Sequence, residues 1–100
     1  MMATYIGQND GVREIVPANG GDFTPEELES LLGGVPEVIE LNEYEVMIKD
    51  DAAEFYRNEN HIATFVAKCN GAIKERGFIS GDVIVCPREM AAQVKKKCIK

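Results

Sequence analysis

The chain has 100 residues, of which 45% are hydrophobic, and a formal net charge of −6. This length suits one domain over residues 1–100 and argues against two. No apolar run approaches the roughly 20 residues that cross a bilayer, and the start, MMATYIGQND, lacks the basic and long apolar segments of a signal peptide. We therefore expect a cytoplasmic protein that does not bind membranes.

The charge is distributed unevenly along the chain. Residues 1–57 contain 13 Asp/Glu and 3 Lys/Arg, whereas residues 58–100 contain 4 and 8. An acidic surface argues against nucleic acid as the main partner. It fits a protein partner with a basic surface, and it also fits simple solubility.

The cysteines indicate reduced thiols. Cys69, Cys86 and Cys98 are odd in number and have no C-x-x-C spacing, which argues against a disulfide framework and against a zinc site. We expect Cys69 and Cys86 to be buried and Cys98, in a lysine-rich tail, to be more exposed.

The first predicted elements form a hairpin. TYIG at residues 4–7 and VREIV at residues 12–16 are strand-like, and the Asn-Asp-Gly between them favours a tight turn. Pro17 lacks a backbone N–H and ends the second strand.

A helix is predicted to begin after Thr24. Thr24 and Glu27 have the spacing of a capping box, and Phe23 and Leu28 have the spacing of a hydrophobic staple. The glycine pair Gly33–Gly34 provides the left-handed conformation that ends a helix. We expect the chain to turn back onto a sheet there.

A second hairpin is predicted on either side of Asn42 and Glu43. Apolar and charged residues alternate in VPEVIEL and YEVMIKD, with Tyr44, Val46 and Ile48 on one face. We expect the glutamates of this hairpin to face water and the opposite side to pack on the first helix.

The second half of the chain begins with a polar loop over residues 50–60, and loops of this length often carry function. A helix then begins at the N-cap Asn60, with an apolar face formed by Ile62, Phe65, Val66, Cys69 and Ile73. The apolar run at 82–86 predicts a buried central strand, and residues 87–97 predict a short basic C-terminal helix. The fold class is thus α+β, a mainly antiparallel sheet of four to five strands with two helices packed on one face.

The order of these motifs resembles a known family. The residues that carry the resemblance are Gly33, Gly34, Asn60, Ala63, Thr64, Gly81 and Asp82. Over residues 12–86 their order is similar to that of small phage, plasmid and bacterial domains known as domain of unknown function 3846. Members often have a proline before the asparagine, where this chain has Glu59, and the basic helix at 87–97 lies outside the resemblance. Because the family has no established activity, the resemblance implies fold and origin in a mobile element or its host bacterium.

The residues do not form a recognisable catalytic constellation. The only histidine, His61, would need Asp50, Asp51 or Glu54 beside it to act as a general base. No EF-hand or HExxH spacing is present, and neither glycine pair forms a phosphate-binding loop. We therefore predict a protein that is not an enzyme and has no metal or cofactor.

A binding surface is predicted on the loop 50–60 and the first turn after it. Aromatic and arginine side chains are common anchors of binding surfaces, and the candidate residues are Phe55, Tyr56, Arg57, Asn60, His61 and Thr64. Structural alternatives remain open, since Asn60 can cap the helix and Phe55 can cover the end of the core.

Two functions are consistent with these residues. The first is a small non-enzymatic interaction protein of a mobile element or its host bacterium, which binds a host protein and inhibits a host defence. The alternative is a small-ligand or nucleotide-binding domain that uses residues 50–64. A concave apolar pocket beside Asn60 would favour a ligand, whereas a flat exposed patch would favour a protein partner. The oligomeric state is not indicated.

Overall fold

The computed structural model describes residues 2–9 and 11–94, which contain five strands and two α-helices. In chain order these are β1 (Ala3–Gly7), β2 (Gly11–Ile15), α1 (Pro25–Leu32), β3 (Pro36–Glu40), β4 (Glu45–Asp50), α2 (His61–Cys69) and β5 (Val83–Pro87). The sheet order is β2-β1-β5-β4-β3, and all neighbouring strands are antiparallel. The predicted α+β class and antiparallel sheet are confirmed. None of the helices in these residues is long and apolar enough to cross a membrane.

The last strand in the sequence lies at the centre of the sheet. β5 pairs with β1 on one side and with β4 on the other. Val83 and Ile84 are fully buried, as expected for the apolar run at 82–86. Because the hairpins β1–β2 and β3–β4 meet only across β5, this strand joins them into one sheet.

The sheet is covered on both faces. Val46, Met47 and Ile48 of β4 are all fully buried, although successive side chains of a strand point to opposite faces. Val46 and Ile48 share a core cluster with Leu28 of α1, and Met47 shares a second cluster with Ala63 of α2. The domain therefore has three layers, with the sheet between the two helices.

The helices lie on opposite faces of the sheet, so the expectation that both pack on one face was wrong. The central strands are apolar on both sides, and both sides need cover from water. For the same reason the charged side of the second hairpin is partly buried and does not simply face water. Lys49 is 5% exposed, and its Nζ lies 3.4 Å from a carboxylate oxygen of Glu37 and 3.6 Å from one of Glu54, partners that a buried cation requires.

The start of α1 follows the prediction with one change. Thr24 Oγ1 accepts a hydrogen bond from the Glu27 N–H at 3.1 Å, and the staple residues Phe23 and Leu28 are both fully buried. The Glu27 carboxylate does not complete the capping box. It accepts a hydrogen bond from the Ala18 N–H at 3.0 Å and so ties the preceding loop to the helix.

The C-terminal segment differs from the predicted basic helix over residues 87–97. Within the described residues it forms a short 3-10 turn at Arg88–Ala91. Met90 and Ala91 are buried in the α1-side core cluster, and the Met90 carbonyl accepts a hydrogen bond from the Phe23 N–H at 2.9 Å. This carbonyl therefore bonds to a distant segment instead of to a following helical turn. Residues 95–97 lie outside the described part of the chain.

Replacement of Thr24 tests the helix cap. Thr24→Ala removes the acceptor of the Glu27 N–H and should lower the free energy of unfolding by about 1 kcal/mol. Ser30→Ala, at an exposed position inside α1, is the matched control and should change it by less than about 0.5 kcal/mol. Denaturant midpoints measure both effects, and equal midpoints would contradict the role of the cap.

The two described cysteines should differ in reactivity. Cys69 is exposed, contrary to expectation, and Cys86 is buried. Burial, reinforced by repulsion from Glu45 and Glu89, raises the pKa of the Cys86 thiol to about 12. Because the thiolate is the reactive form, iodoacetamide at about pH 8 should modify Cys69 in the native protein and Cys86 only after unfolding. Peptide mapping by mass spectrometry checks this order, and rapid native modification of Cys86 would contradict it.

Candidate functional site

α2 contacts the sheet through small residues. Its buried positions are Ala63, Thr64 and Ala67, and both alanines are 0% exposed. Met47 and Ile79, in the same core cluster, provide the larger side chains at this contact. The fully covered side of the helix is therefore built from alanine and threonine, with the half-buried Val66 packed beside them.

Asn60 fixes the start of α2 and is itself 1% exposed. Its Oδ1 caps the helix by accepting a hydrogen bond from the Ala63 N–H at 3.0 Å. Its Nδ2 donates to the carbonyls of Ile6 at 3.0 Å and Gly81 at 2.8 Å. One side chain thus joins α2 to β1 and to the segment before β5.

Thr64 fixes the next turn of α2. Its Oγ1 accepts a hydrogen bond from the Ile79 N–H at 2.9 Å and donates to the Ile79 carbonyl at 3.3 Å. Thr64 is 5% exposed. Of the predicted binding residues, Asn60 and Thr64 are therefore buried and bonded to backbone, which places them in the scaffold beneath the surface.

The same packing turns the large apolar residues of α2 toward solvent. Ile62 is 45% exposed and Phe65 is 69% exposed, so only part of the predicted apolar face contacts the core, where Val66 and Ile73 pack. Helical periodicity identifies an apolar face, but it does not identify what that face contacts. The exposed Cys69 lies one turn beyond Phe65 on the same side.

Phe78 lies beside the first turn of α2 and is 53% exposed. Ser80 forms an antiparallel bridge with Glu59, and the Asn60 N–H donates to the Ile79 carbonyl at 2.7 Å. These bonds hold the segment 78–80 along the start of the helix. Phe78 was not among the predicted surface residues, because nothing in its local sequence pattern distinguishes it from a core aromatic.

The loop before α2 adds Phe55, which is 82% exposed, and Tyr56, which is 57% exposed. At this exposure Phe55 does not cover the end of the core. The predicted candidate His61 is also on the surface, with 85% of its side chain exposed. We call the following five exposed side chains the aromatic surface: Phe55, Tyr56, Ile62, Phe65 and Phe78.

Arg57 anchors the loop to the body of the protein. Its guanidinium carbon lies 4.9 Å from the centroid of the Tyr56 ring. A Cβ at Gly33 would lie 2.5 Å from Arg57 Nη2, and a Cβ at Gly81 would lie 3.4 Å from Arg57 Cδ. The arginine thus extends between the end of α1 and the segment before β5. Its Nε is buried and has no hydrogen-bond partner among residues 2–9 and 11–94.

Asp50 holds the other side of the loop and is 3% exposed. Its carboxylate accepts hydrogen bonds from the Tyr56 hydroxyl and, at 3.0 Å, from the Ala52 N–H. A Cβ at Gly34 would lie 2.4 Å from Asp50 Cγ. Gly33, at φ 79°, ends α1 as predicted. The pair Gly33–Gly34 also makes room for the two charged side chains that order the loop.

Gly81 and Asp82, the remaining residues that carry the family resemblance, also have structural roles. Asp82 accepts hydrogen bonds from the Tyr5 hydroxyl at 2.5 Å and from the Gln8 N–H at 2.7 Å. Gly81, at φ 77°, presents its carbonyl to Asn60. These contacts hold the end of β1 and the approach to β5 in place.

The geometry offers few groups for catalysis. No group of three or more His, Cys, Asp or Glu side chains in the described ranges could hold a metal ion. The exposed His61 has Nδ1 3.4 Å from a Glu59 carboxylate oxygen, whereas Asp50 is bonded to Tyr56. A cavity of about 300 Å³ lies beside α1 and away from Asn60, and its lining residues are Pro25, Glu29, Val35, Pro36, Gln93 and Val94.

Comparison of the chain with protein-family models, curated proteins and solved structures finds no match. The resemblance to the phage, plasmid and bacterial family stays a prediction from the residues.

Alanine at position 34 tests the packing under the loop. Gly34→Ala places a methyl group against the buried Asp50 carboxylate and should lower the free energy of unfolding by roughly 1–3 kcal/mol. Gly21→Ala is the matched control, since the added Cβ would meet no atom closer than 3.8 Å and neither glycine has a positive φ. The control should be neutral or slightly stabilising. Urea unfolding of both variants checks this, and equally small effects would contradict the close contact.

Proposed function

We propose that this protein is a non-enzymatic interaction protein that binds another protein through the aromatic surface. The observation that carries the proposal is that three of the four phenylalanines, Phe55, Phe65 and Phe78, each expose more than half of their surface. Phe78 and Phe65 lie close together, since the neighbouring residues Ile79 and Thr64 are hydrogen-bonded, and exposed apolar side chains grouped in this way are typical of interaction sites. Burial of one such side chain is worth about 1.5–3 kcal/mol, so a partner that covers them gains substantial binding free energy.

The scaffold beneath the surface supports this proposal. α2 is held by Asn60 and Thr64, and the loop is held by Asp50 and Arg57. A surface that is ordered before binding loses less conformational entropy when the partner arrives. Aromatic rings with an adjacent arginine are also the usual composition of binding hot spots.

The geometry favours a protein partner over a small ligand. Small-ligand sites are concave, whereas Ile62 and Phe65 project from the outer side of a helix. The cavity beside α1 includes none of residues 50–64, so it does not support the alternative of a ligand or nucleotide site there.

The resemblance described above supports a partner in a host bacterium. On this proposal the protein belongs to a mobile element or to its host and acts in the cytoplasm. Binding would block a functional surface of the host protein, and a defence protein is the first candidate. The role needs no catalytic group, since occupying a surface is sufficient to inhibit its use.

A comparative pull-down from bacterial lysate tests the proposed function. Immobilised wild type, Phe65→Ser and Tyr44→Ser are compared after circular dichroism has shown that all three are folded. Tyr44 is 72% exposed but lies at the β3–β4 turn. Tyr44→Ser therefore controls for the removal of an exposed aromatic side chain outside the aromatic surface. We expect wild type and Tyr44→Ser to capture the same protein and Phe65→Ser to capture at least about tenfold less.

The variants Phe55→Ser and Phe78→Ser extend this test to the rest of the surface. Each should reduce capture in the same direction, because hot-spot residues contribute unequally but act together. Capture that persists at the wild-type level in all three phenylalanine variants would place the binding site elsewhere.

A further inference from the structure

The outer side of α2 is a short apolar stripe. Ile62, Phe65 and Cys69 are three and four residues apart, a spacing that places them on one side of a helix, and all three are exposed. α2 contains no Asp or Glu and a single lysine. Because a free cysteine behaves as a small apolar side chain, Phe65 has an apolar neighbour one turn before it and another one turn after it. The stripe is therefore nearly the same when it is followed in either direction.

Charges of both signs surround the aromatic surface. Residues 50–78 carry all five of its side chains and contain four Lys/Arg and five Asp/Glu. Glu14 and Glu45 add two more carboxylates on the sheet face under α2, since they share that face with Val12 and Met47. This mixture favours neither a strongly acidic nor a strongly basic partner. A copy of the same surface brings both signs as well, so that cations of one rim can pair with carboxylates of the other.

The exposed apolar area is large enough for a dimer. If a large side chain has about 200 Å² of surface, the exposed fractions of the five residues amount to roughly 600 Å². Two copies that cover each other's aromatic surface would bury up to about 1,200 Å² from these side chains alone, which reaches the size of the smaller stable interfaces. Soluble monomers rarely expose a larger apolar patch than this.

We propose that a second copy of the chain covers the aromatic surface, with the two α2 helices antiparallel about a two-fold axis beside Phe65. Phe65 then contacts its equivalent in the second copy, and Ile62 lies beside Cys69 of the second copy at each end. Two-fold contacts require a self-complementary surface, and the symmetric stripe provides one. The inference goes beyond the proposed function, because the host protein must displace the second copy from the surface that both use.

Sedimentation velocity over a range of protein concentrations tests the dimer. Wild type should convert from monomer to dimer with a Kd between about 1 and 100 µM, as suits an interface of modest area. Phe65→Ser, shown to be folded by circular dichroism, should raise the Kd at least about tenfold, whereas Tyr44→Ser should leave it unchanged. Because each copy has a net charge of −6, salt at about 0.15 M should tighten the dimer by screening repulsion.

Disulfide trapping tests the antiparallel contact. In a Cys98→Ser background, Ile62→Cys should form a disulfide with Cys69 of the second copy, which gives a covalent dimer on a non-reducing gel after mild oxidation. Cys69 alone should not cross-link, because antiparallel packing separates its two copies by about 10 Å along the helix, beyond the reach of a disulfide. Ser30→Cys in the same background, at an exposed position of α1, is the control and should give no covalent dimer.

The outcomes separate this inference from the proposed function. A protein that stays monomeric at all concentrations, or a dimer that Phe65→Ser does not weaken, would overturn the inference and leave the pull-down from lysate to decide the proposed function. A dimer in which Ile62→Cys is not trapped would overturn the antiparallel contact. A dimer lost in Phe65→Ser, together with equal capture from lysate by all the phenylalanine variants, would support the second copy and overturn the host protein as occupant of this surface.

Discussion

The carboxamide of Asn60 bonds to backbone groups from three separate parts of the chain, the carbonyls of Ile6 and Gly81 and the N–H of Ala63. Each of these groups would cost about 1–3 kcal/mol if it were buried without a partner. α2 can therefore begin at only one place and in one orientation relative to β1 and β5. Thr64, bonded to Ile79 one turn later, holds the helix in that orientation.

The orientation of α2 separates the residues that stabilise the fold from those available for binding. A helix of nine residues is marginal on its own, so its stability comes from the cap and from the alanines that face the sheet. Phe65, at 69% exposure, contributes little to this packing.

The glycine pair after α1 connects the two sides of the domain. Gly33 and Gly34 leave room for Arg57 and Asp50, which order the loop that leads into α2. The end of one helix thereby positions the approach to the other, although the two helices lie on opposite faces of the sheet. The result is a domain in which α1 presents glutamates on one side and α2 exposes Ile62 and Phe65 on the other.

The sequence by itself determined the features that depend on near neighbours. The cap at Thr24, the helix end at Gly33 and the central strand at 82–86 were predictable, because each is specified within a few residues. The exposure of Phe55 and Tyr56 also agrees with the polar character of their loop.

Only the tertiary structure decided which side of each helix is covered. The placement of α2 depends on a hydrogen bond between residues 54 positions apart, and no local pattern contains that information. An apolar stripe such as the one with Ile62 and Phe65 can face a sheet or solvent. Ala63 and Ala67 lie on the inner side because the bonds of Asn60 to β1 and to the segment before β5 fix how the helix is turned.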